Sequence, residues 1–259
     1  MTSFAAIEFH EVHKSFAEGK EKVLTDVNFS IPLGKSSFLL GPSGGGKTVL
    51  LKLMVSLLTP DHGEIRAFGE PLPSNPMQLN RLRKRFGVLF QNAALFDDMT
   101  VEENVAFPIK EHFRRMQSHR VRSMIEETLR SVGLDPAFTM RKYPHQLSGG
   151  MLKRVGLARA IVLKPEVLLF DEPTTGFDPI TRLTVDQLIA DMETRLGMTN
   201  FVITHDIDSA LALAAQIAFL YGGKIVFLGS PEAFIQSEEP MVKAFLDAEQ
   251  RLRTRKLRE

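Results

Sequence analysis

The chain has 259 residues, a length that accommodates one α/β domain with additions, or at most two small domains. Its 32 Lys and Arg nearly cancel its 31 Asp and Glu, and the resulting net charge of +1 argues against a nucleic acid partner bound through excess cations. The absence of cysteine excludes a disulfide framework and a thiolate metal site. No apolar run reaches the ~20 residues that span a bilayer, so we expect a soluble chain, in which any membrane role must come through a partner.

The N-terminal segment predicts strands with one buried face. Ile7 and Phe9 alternate with polar neighbours, and Val27, Phe29 and Ile31 do the same. We expect these strands to form an N-terminal antiparallel β subdomain.

A buried strand and a helix are predicted next. The apolar run 37–41 ends in glycine and is typical of a central parallel strand covered on both faces. A helix should follow the glycine-rich turn and continue to about Leu57, and residues 63–69 predict part of a hairpin.

Residues 92–144 are predicted to form a helical insertion. Thr100 and Glu103 have the spacing of a capping box. Residues 118–132 have helical periodicity, and Gly133 is a natural C-terminal stop. The flanking segments, 1–91 and 145–259, are assigned together to one core.

Strands and helices alternate again after the insertion, which predicts a mostly parallel sheet. The strands are expected at 167–170 and 200–204, and the helices at 179–196 and 207–215. A final hairpin is expected over 217–228, with Gly222 and Gly223 at its turn.

The first chemical motif is a phosphate-binding loop. Its pattern is complete in Gly41, Pro42, Ser43, Gly44, Gly45, Gly46, Lys47 and Thr48. Glycines allow successive backbone N–H groups to surround phosphate oxygens, and the start of the following helix adds a positive dipole. We expect Lys47 to contact the β- and γ-phosphates of ATP and Thr48 to bind Mg²⁺.

A pair of carboxylates follows the strand at 167–170. Asp171 lies where ligands bind in open α/β sheets, at the carboxyl end of a buried strand. It can hold Mg²⁺, while Glu172 can orient and deprotonate the attacking water. By itself, Asp-Glu-Pro after a strand is also an ordinary turn, and the catalytic interpretation depends on the phosphate loop.

Small residues begin a further helix at 148–150. Ser148 alone is explained as a helix N-cap. The adjacent Gly149 and Gly150 are not needed for capping, and they would permit close backbone approach to a second phosphate site.

Together these motifs resemble the nucleotide-binding domain of ATP-binding-cassette (ABC) transporters, in the family's order from about Ile7 to Leu228. The resemblance implies a P-loop NTPase core and a homodimer that binds ATP between its two cassettes. It also implies an integral membrane permease as partner and a position on the cytoplasmic face of the inner membrane.

The resemblance adds further residues to the site. Gln91 matches the glutamine that touches Mg²⁺ and the attacking water, and His205 matches the histidine that contacts the γ-phosphate. Asp178 matches the loop that crosses to the other subunit, and Phe16 occupies the place of the aromatic residue that stacks on adenine. Glu172, His205, Gln91 and Lys47 are thus the expected catalytic group.

Two positions depart from the family pattern at the nucleotide. Val49 follows Thr48 where a second hydroxyl residue is usual, although its backbone N–H can still bind phosphate. A lower ATP affinity with intact hydrolysis is expected. Phe177 replaces the more frequent Leu, and this change is expected to be harmless.

Within the family, the chain is most similar to the ATPases of Mla and Mce type lipid-transport systems. The similarity lies in residues 91–108, in Met151, where most members carry Gln, and in 177–180. It implies phospholipid transport, with a periplasmic Mce-type lipid-binding assembly and a small cytoplasmic regulator as further partners. A small-solute importer, such as one for amino acids, remains the alternative, as does a non-transport cassette such as an iron–sulfur assembly scaffold.

Two segments have open interpretations. The apolar residues 93–96 belong either to the core of the insertion or to the groove that receives the permease. The basic tail 251–259 is either a solvated helix end or a contact with anionic lipid or with the opposite cassette.

Overall fold

The computed structural model describes residues 4–17, 19–91 and 93–256, with the side chains of 252–256 excepted. The strands are β1 (Ala5–Phe16), β2 (Glu21–Pro32), β3 (Ser36–Leu40), β4 (His62–Ala67), β5 (Glu70–Pro71), β6 (Phe86–Leu89), β7 (Val167–Asp171), β8 (Thr199–Ile203), β9 (Gln216–Tyr221) and β10 (Lys224–Gly229). The helices are α1 (Lys47–Met54), α2 (Pro76–Arg83), α3 (Val101–His112), α4 (Ser118–Ser131), α5 (Pro136–Thr139), α6 (Gly149–Ile161), α7 (Pro179–Thr194), α8 (Ile207–Leu213), α9 (Pro231–Ile235) and α10 (Pro240–Lys256). A 3-10 helix lies at Pro144–Gln146.

The chain divides into two compact units. The first combines Met1–Pro73 with Phe201–Glu259, and the second is Ser74–Asn200. Strand β8 runs through the division. Its start belongs to the second unit, where Thr199 N–H donates to Glu166 C=O, and its end belongs to the first.

The first unit contains an antiparallel sheet and strands of a mixed sheet. The antiparallel sheet has the order β2-β1-β4-β5, and Phe9 of β1 stacks on Phe29 of β2 with ring centroids 4.7 Å apart. In the mixed part, β9 pairs in parallel with β3 and antiparallel with β10. The five residues of β3 are all buried, as expected for a strand covered on both faces.

The second unit places helices beside a parallel strand pair. Strands β6 and β7 are paired from Phe86 with Val167 to Leu89 with Phe170. Helices α3, α4 and α6 contact one another around a buried apolar core that includes Val105, Ile125 and Val155.

The prediction of an α/β fold with a mostly parallel sheet and an N-terminal antiparallel subdomain is confirmed. The larger sheet is mixed, with parallel pairs β3–β9 and β6–β7 and the antiparallel pair β9–β10, and β1 and β2 belong to the antiparallel sheet. The capping box is also confirmed, since the Thr100 side chain accepts from the Glu103 N–H and the Glu103 carboxylate accepts from the Thr100 N–H. The first helix ends at Met54 rather than Leu57, because Ser56 adopts a left-handed backbone conformation with φ 52°. Helix α2 was not predicted, although Asn75 caps its start by accepting from Met77 N–H and Gln78 N–H.

Two expectations stay predictions. The segment 92–144 does contribute helices α3 to α5, but its separation from a core of 1–91 and 145–259 is not tested by the division into units. The backbone of the basic tail continues α10 to Lys256, and the side chains of 252–256 and residues 257–259 lie outside the described residues. Within the described part of the chain, no helix has the length and apolar character needed to cross a bilayer.

Candidate functional site

In the first unit, the predicted phosphate loop connects β3 to the start of α1. Lys47 is the first residue of α1 and is buried, and its ammonium donates to the carbonyls of Gly41, at 2.8 Å, and Pro42, at 2.9 Å. Val49 N–H donates to Gly46 C=O at 3.0 Å. The lysine side chain is therefore held along the loop, at the end of the helix where the dipole favours an anion.

The glycines at the two ends of this loop are required by its neighbours. A Cβ on Gly41 would lie 2.3 Å from the backbone oxygen of Leu220, in β9. Gly46 has φ 97° at the N-cap of α1, and a Cβ there would lie 3.1 Å from side-chain atoms of Val23 and Leu24. The two ends of the loop are consequently packed closely against β9 and β2, where a larger residue would not fit without a shift.

His205 lies in the same unit and at the same edge of the sheet as the phosphate loop. The N–H of Thr204 donates to the C=O of Leu39 at 3.2 Å, which aligns the end of β8 with the end of β3. His205 follows directly and is exposed, and Asp206 then caps α8. The predicted switch histidine is therefore presented where β3 runs into the loop.

Phe16 lies at the end of β1, with 37% of its surface exposed. The Lys14 ammonium lies 5.6 Å from its ring centroid and also pairs with Asp61 at 2.6 Å. Asp61 further accepts from the Ser15 N–H at 2.6 Å. An exposed aromatic ring on an anchored strand is available for the stacking role that the family resemblance implies.

In the second unit, the parallel pairing of β6 and β7 brings the predicted Mg²⁺ and water-activating residues to one edge. Because Leu89 pairs with Phe170, the residues that follow the two strands leave the sheet side by side. Asp171 and Glu172 are half-buried at the end of β7, and Gln91 is exposed just beyond β6. This is the edge at which ligands bind in open α/β sheets.

Glu172 has a strained backbone. Its φ is 51°, a left-handed conformation that costs a non-glycine residue about 1–3 kcal/mol. Its Oε2 accepts from the Thr175 hydroxyl at 2.9 Å. The turn and this hydrogen bond together fix the carboxylate beyond the end of β7, as an oriented general base requires.

Ser148 is the N-cap of α6, where its hydroxyl accepts from the Met151 N–H at 3.3 Å. Among the residues that the structure describes, none packs closely enough to require the two following glycines. A Cβ on Gly149 would be 3.5 Å from Phe177, and one on Gly150 would be 3.8 Å from Thr181, and both are ordinary contact distances. The glycines therefore leave an open helix start that something outside the chain can approach closely.

Asp178 is exposed and has a local structural role. Its carboxylate caps α7 by accepting from the backbone N–H groups of Ile180 and Thr181 and from the Thr181 hydroxyl, at 2.5 Å. These hydrogen bonds lower the pKa of Asp178, and the bond from the Thr181 hydroxyl has the largest effect. The cap accounts for an aspartate here, and the crossing to another subunit stays a prediction.

The oxygen donors predicted for Mg²⁺ suit that ion. Thr48 offers a hydroxyl, Asp171 a carboxylate and Gln91 an amide oxygen, and Mg²⁺ prefers hard oxygen ligands, with one or two carboxylates beside substrate phosphates and water. Thr48 belongs to the first unit, and Asp171 and Gln91 to the second.

A groove with a volume of about 340 Å³ lies in the second unit beside β6 and α3. Its apolar side includes Phe90, Phe96 and Phe107, which are each at least 36% exposed, and the Phe96 and Phe107 rings are 4.8 Å apart. Arg83, His112 and Arg159 also line the groove, and the Arg159 guanidinium lies 5.6 Å from the Phe96 ring centroid. Burial, followed by the charge of Lys84, lowers the pKa of His112.

Sequence reasoning missed two cations in α6, the buried Lys153 and the half-buried Arg159. Lys153 is 6% exposed and donates to the Gln91 carbonyl, and Arg159 donates to the carbonyls of Ala93 and Ala94 at 2.8 Å each. Their signal in the sequence is weak, because a lysine and an arginine in a helix are most often solvated. Asn104, fully buried, was missed too, and it bonds to Phe96, Met99 and Thr100 to fix the loop before α3.

The comparisons with known proteins agree with these motifs. A family model described as ABC transporter matches residues 24–175. The probable ribonucleotide transport ATP-binding protein mkl of Mycobacterium leprae is 40% identical over 243 residues, which cover 93% of this chain and 69% of that protein. The intermembrane phospholipid transport system ATP-binding protein MlaF of Escherichia coli strain K12 is 41% identical over 234 residues, which cover 90% of this chain and 86% of that protein.

A solved structure also superposes on the chain. It is a dimer of an ATP-binding cassette in a post-hydrolysis state, bound to ADP and Pi. The TM-score is 0.78 at 30% identity, and the match covers 87% of this chain and 98% of that one.

Proposed function

We propose that this chain, which belongs to the ABC transporter family, powers the movement of phospholipid between bacterial membranes through a permease. It is an ABC-type ATPase, and cassettes of this family dimerise and work with membrane permeases. The observation that carries the lipid proposal is the 41% identity to MlaF over most of both chains, together with the exposed groove beside β6. The chain would act on the cytoplasmic face of the inner membrane.

The site residues have distinct roles in this proposal. Lys47 and the loop amides bind the β- and γ-phosphates, and Phe16 stacks on the base. Thr48, Asp171 and Gln91 would hold Mg²⁺, which would supply neutralisation of the phosphate charge. These fixed positive groups supply most of the transition-state stabilisation.

Hydrolysis requires an oriented water. Glu172 accepts its proton, and its strained turn and its bond to Thr175 hold the carboxylate in place for this step. His205, at the end of β8, contacts the γ-phosphate. Ser148 and Gly150 of the second subunit complete the site, and the absence of a packing reason for Gly149 and Gly150 supports this role.

The groove is the proposed docking site of the permease. Three exposed phenylalanine rings offer apolar contact area, and Arg83 and Arg159 favour a partner segment with acidic residues. ATP closes the cassette dimer, phosphate release reopens it, and the permease converts the motion into lipid movement. A periplasmic Mce-type assembly and a small cytoplasmic regulator complete the proposed system.

A small-solute importer is the second candidate, since the M. leprae relative is named a probable ribonucleotide transport protein. A deletion strain distinguishes the two. Complemented with the Glu172→Gln variant, it is expected to be detergent-sensitive and to accumulate phospholipid in its outer leaflet. The wild-type gene is expected to restore both properties. A normal envelope with loss of uptake of one solute would contradict the lipid proposal and favour the importer.

A further inference from the structure

Lys153 is a buried lysine that none of the nucleotide-binding motifs accounts for. It lies in α6, five positions after the N-cap Ser148, and only 6% of its surface is exposed. Its ammonium donates to the backbone carbonyl of Gln91. Burying a lysine is costly, so the surroundings must compensate for the lost hydration.

Those surroundings come from two further motifs of the site. The Lys153 ammonium lies 5.6 Å from the centroid of the Phe177 ring, just before Asp178. The Asp171 carboxylate attracts it electrostatically. Burial lowers the pKa of Lys153 to about 8, and the charge of Asp171 partly opposes that shift. One ammonium thus connects the segments of Gln91, Asp171 and Phe177.

The same face of α6 holds the rest of the segment that begins at Gln91. One turn after Lys153, Gly156 is so close that a Cβ there would lie 2.9 Å from the Cβ of Ala93. One turn further, the Arg159 guanidinium donates to the carbonyls of Ala93 and Ala94. Positions 153, 156 and 159 follow one another at helical spacing, so the contacts form a continuous row.

The segment held in this way has little internal regularity of its own. Ala93 and Ala94 have φ values of 57° and 47°, which are unfavourable for alanine. Because local propensity does not favour this backbone, contacts must hold it, and these are the Ala93 N–H bond to the Phe90 carbonyl together with the contacts from α6.

We propose that Lys153 is a positioning residue, which fixes the backbone of Gln91 to α6 and thereby makes Gln91 move with the helix that begins at Ser148. The inference rests on the proposed role of Gln91 at Mg²⁺ and the attacking water. It has a functional consequence. Any displacement of α6 by a second subunit at Ser148 reaches Gln91 through the Lys153 ammonium, with Gly156 and Arg159 holding the following residues.

The test compares Lys153→Met with the matched control Lys164→Met in the purified complex. Lys164 lies just beyond α6, and its exposed ammonium pairs only weakly with the exposed Glu127, at 3.2 Å. For Lys153→Met we expect kcat to fall about 10- to 100-fold, because small misplacements of a positioned group have effects of this order. ATP binding should remain intact and the half-saturating Mg²⁺ concentration should rise. Lys164→Met should behave as wild type.

Amide hydrogen exchange provides a readout that does not depend on activity. In Lys153→Met, exchange at residues 93–96 should accelerate while exchange in β7 stays unchanged. Lys153→Arg, which keeps the charge and the donors, should recover most of kcat and of the protection. If Lys153→Met does not fold, Lys153→Gln is used in its place, and the same criteria apply.

The proposal would be overturned if Lys153→Met had the same kcat, Mg²⁺ dependence and amide exchange as the wild type. It would also be overturned if kcat fell equally in Lys164→Met. A uniform fall in thermal stability with unchanged kcat in the folded fraction would also overturn it. These measurements need only ATP hydrolysis by the wild-type complex. If the complex transports something other than phospholipid, the lipid proposal fails. The hydrolysis and exchange measurements on Lys153 can still be interpreted, because they do not depend on the transported substrate.

Discussion

Replacing Glu172 by glutamine is expected to reduce steady-state ATP hydrolysis by about 10²- to 10⁴-fold, the usual contribution of a positioned general base. Glutamine keeps the size of the side chain and the oxygen that accepts from Thr175, 2.9 Å away, so the turn with φ 51° should be preserved. ATP binding should be retained, because the phosphate contacts come from Lys47 and the loop. Two quantities are measured on the purified complex: the rate of phosphate release and the equilibrium affinity for ATP.

The matched control is Glu238→Gln, which removes an exposed carboxylate paired with Lys243. Exposed pairs of this kind contribute little, so turnover should stay at the wild-type level. Near-normal turnover in Glu172→Gln would contradict the assignment of Glu172 as the base. Loss of ATP binding in that variant would point to a structural role for the carboxylate.

Ser148→Arg is expected to block hydrolysis by preventing the other subunit from completing the ATP site. A large cation at the open start of α6 would keep a second cassette away from that surface, where Gly149 and Gly150 leave space. The change also removes an N-cap, at a cost of about 1 kcal/mol. Ser148→Ala loses the same cap without adding bulk, and it should therefore retain most of the activity that Ser148→Arg loses.

Mixing two inactive variants tests the composite site directly. In a heterodimer of Ser148→Arg and Lys47→Ala subunits, both defects fall on one ATP site if each site combines a phosphate loop with the opposite Ser148. The other site is then intact, and hydrolysis should reappear at no more than one working site per dimer. If each site lay within one chain, both sites would carry a defect and the mixture would stay inactive.

Much of this fold could be predicted because its local signals are strong. Three local signals each have one structural solution that local physics favours: the apolar run before Gly41, the alternation in β1 and β2, and the pair Thr100 and Glu103. The phosphate loop is equally explicit, since its glycines and Lys47 have few other reasons to occur at that spacing.

The remaining features depend on contacts between distant positions. Nothing near Lys153 indicates burial, because its partners at 91, 171 and 177 are remote in sequence. The left-handed backbone of Glu172 is likewise set by its surroundings and opposes the preference of glutamate. The end of α1 at Met54 follows from the conformation of Ser56, which periodicity does not predict.

The central claim is that ATP hydrolysis by this cassette moves phospholipid, and reconstitution tests it most directly. The cassette would be purified with its permease, bound lipid identified by mass spectrometry, and transfer of labelled phospholipid between liposomes measured with ATP and Mg²⁺. We expect bound phospholipid, ATP-dependent transfer with the wild-type complex, and no transfer with Glu172→Gln. Active hydrolysis without bound phospholipid or transfer would contradict it.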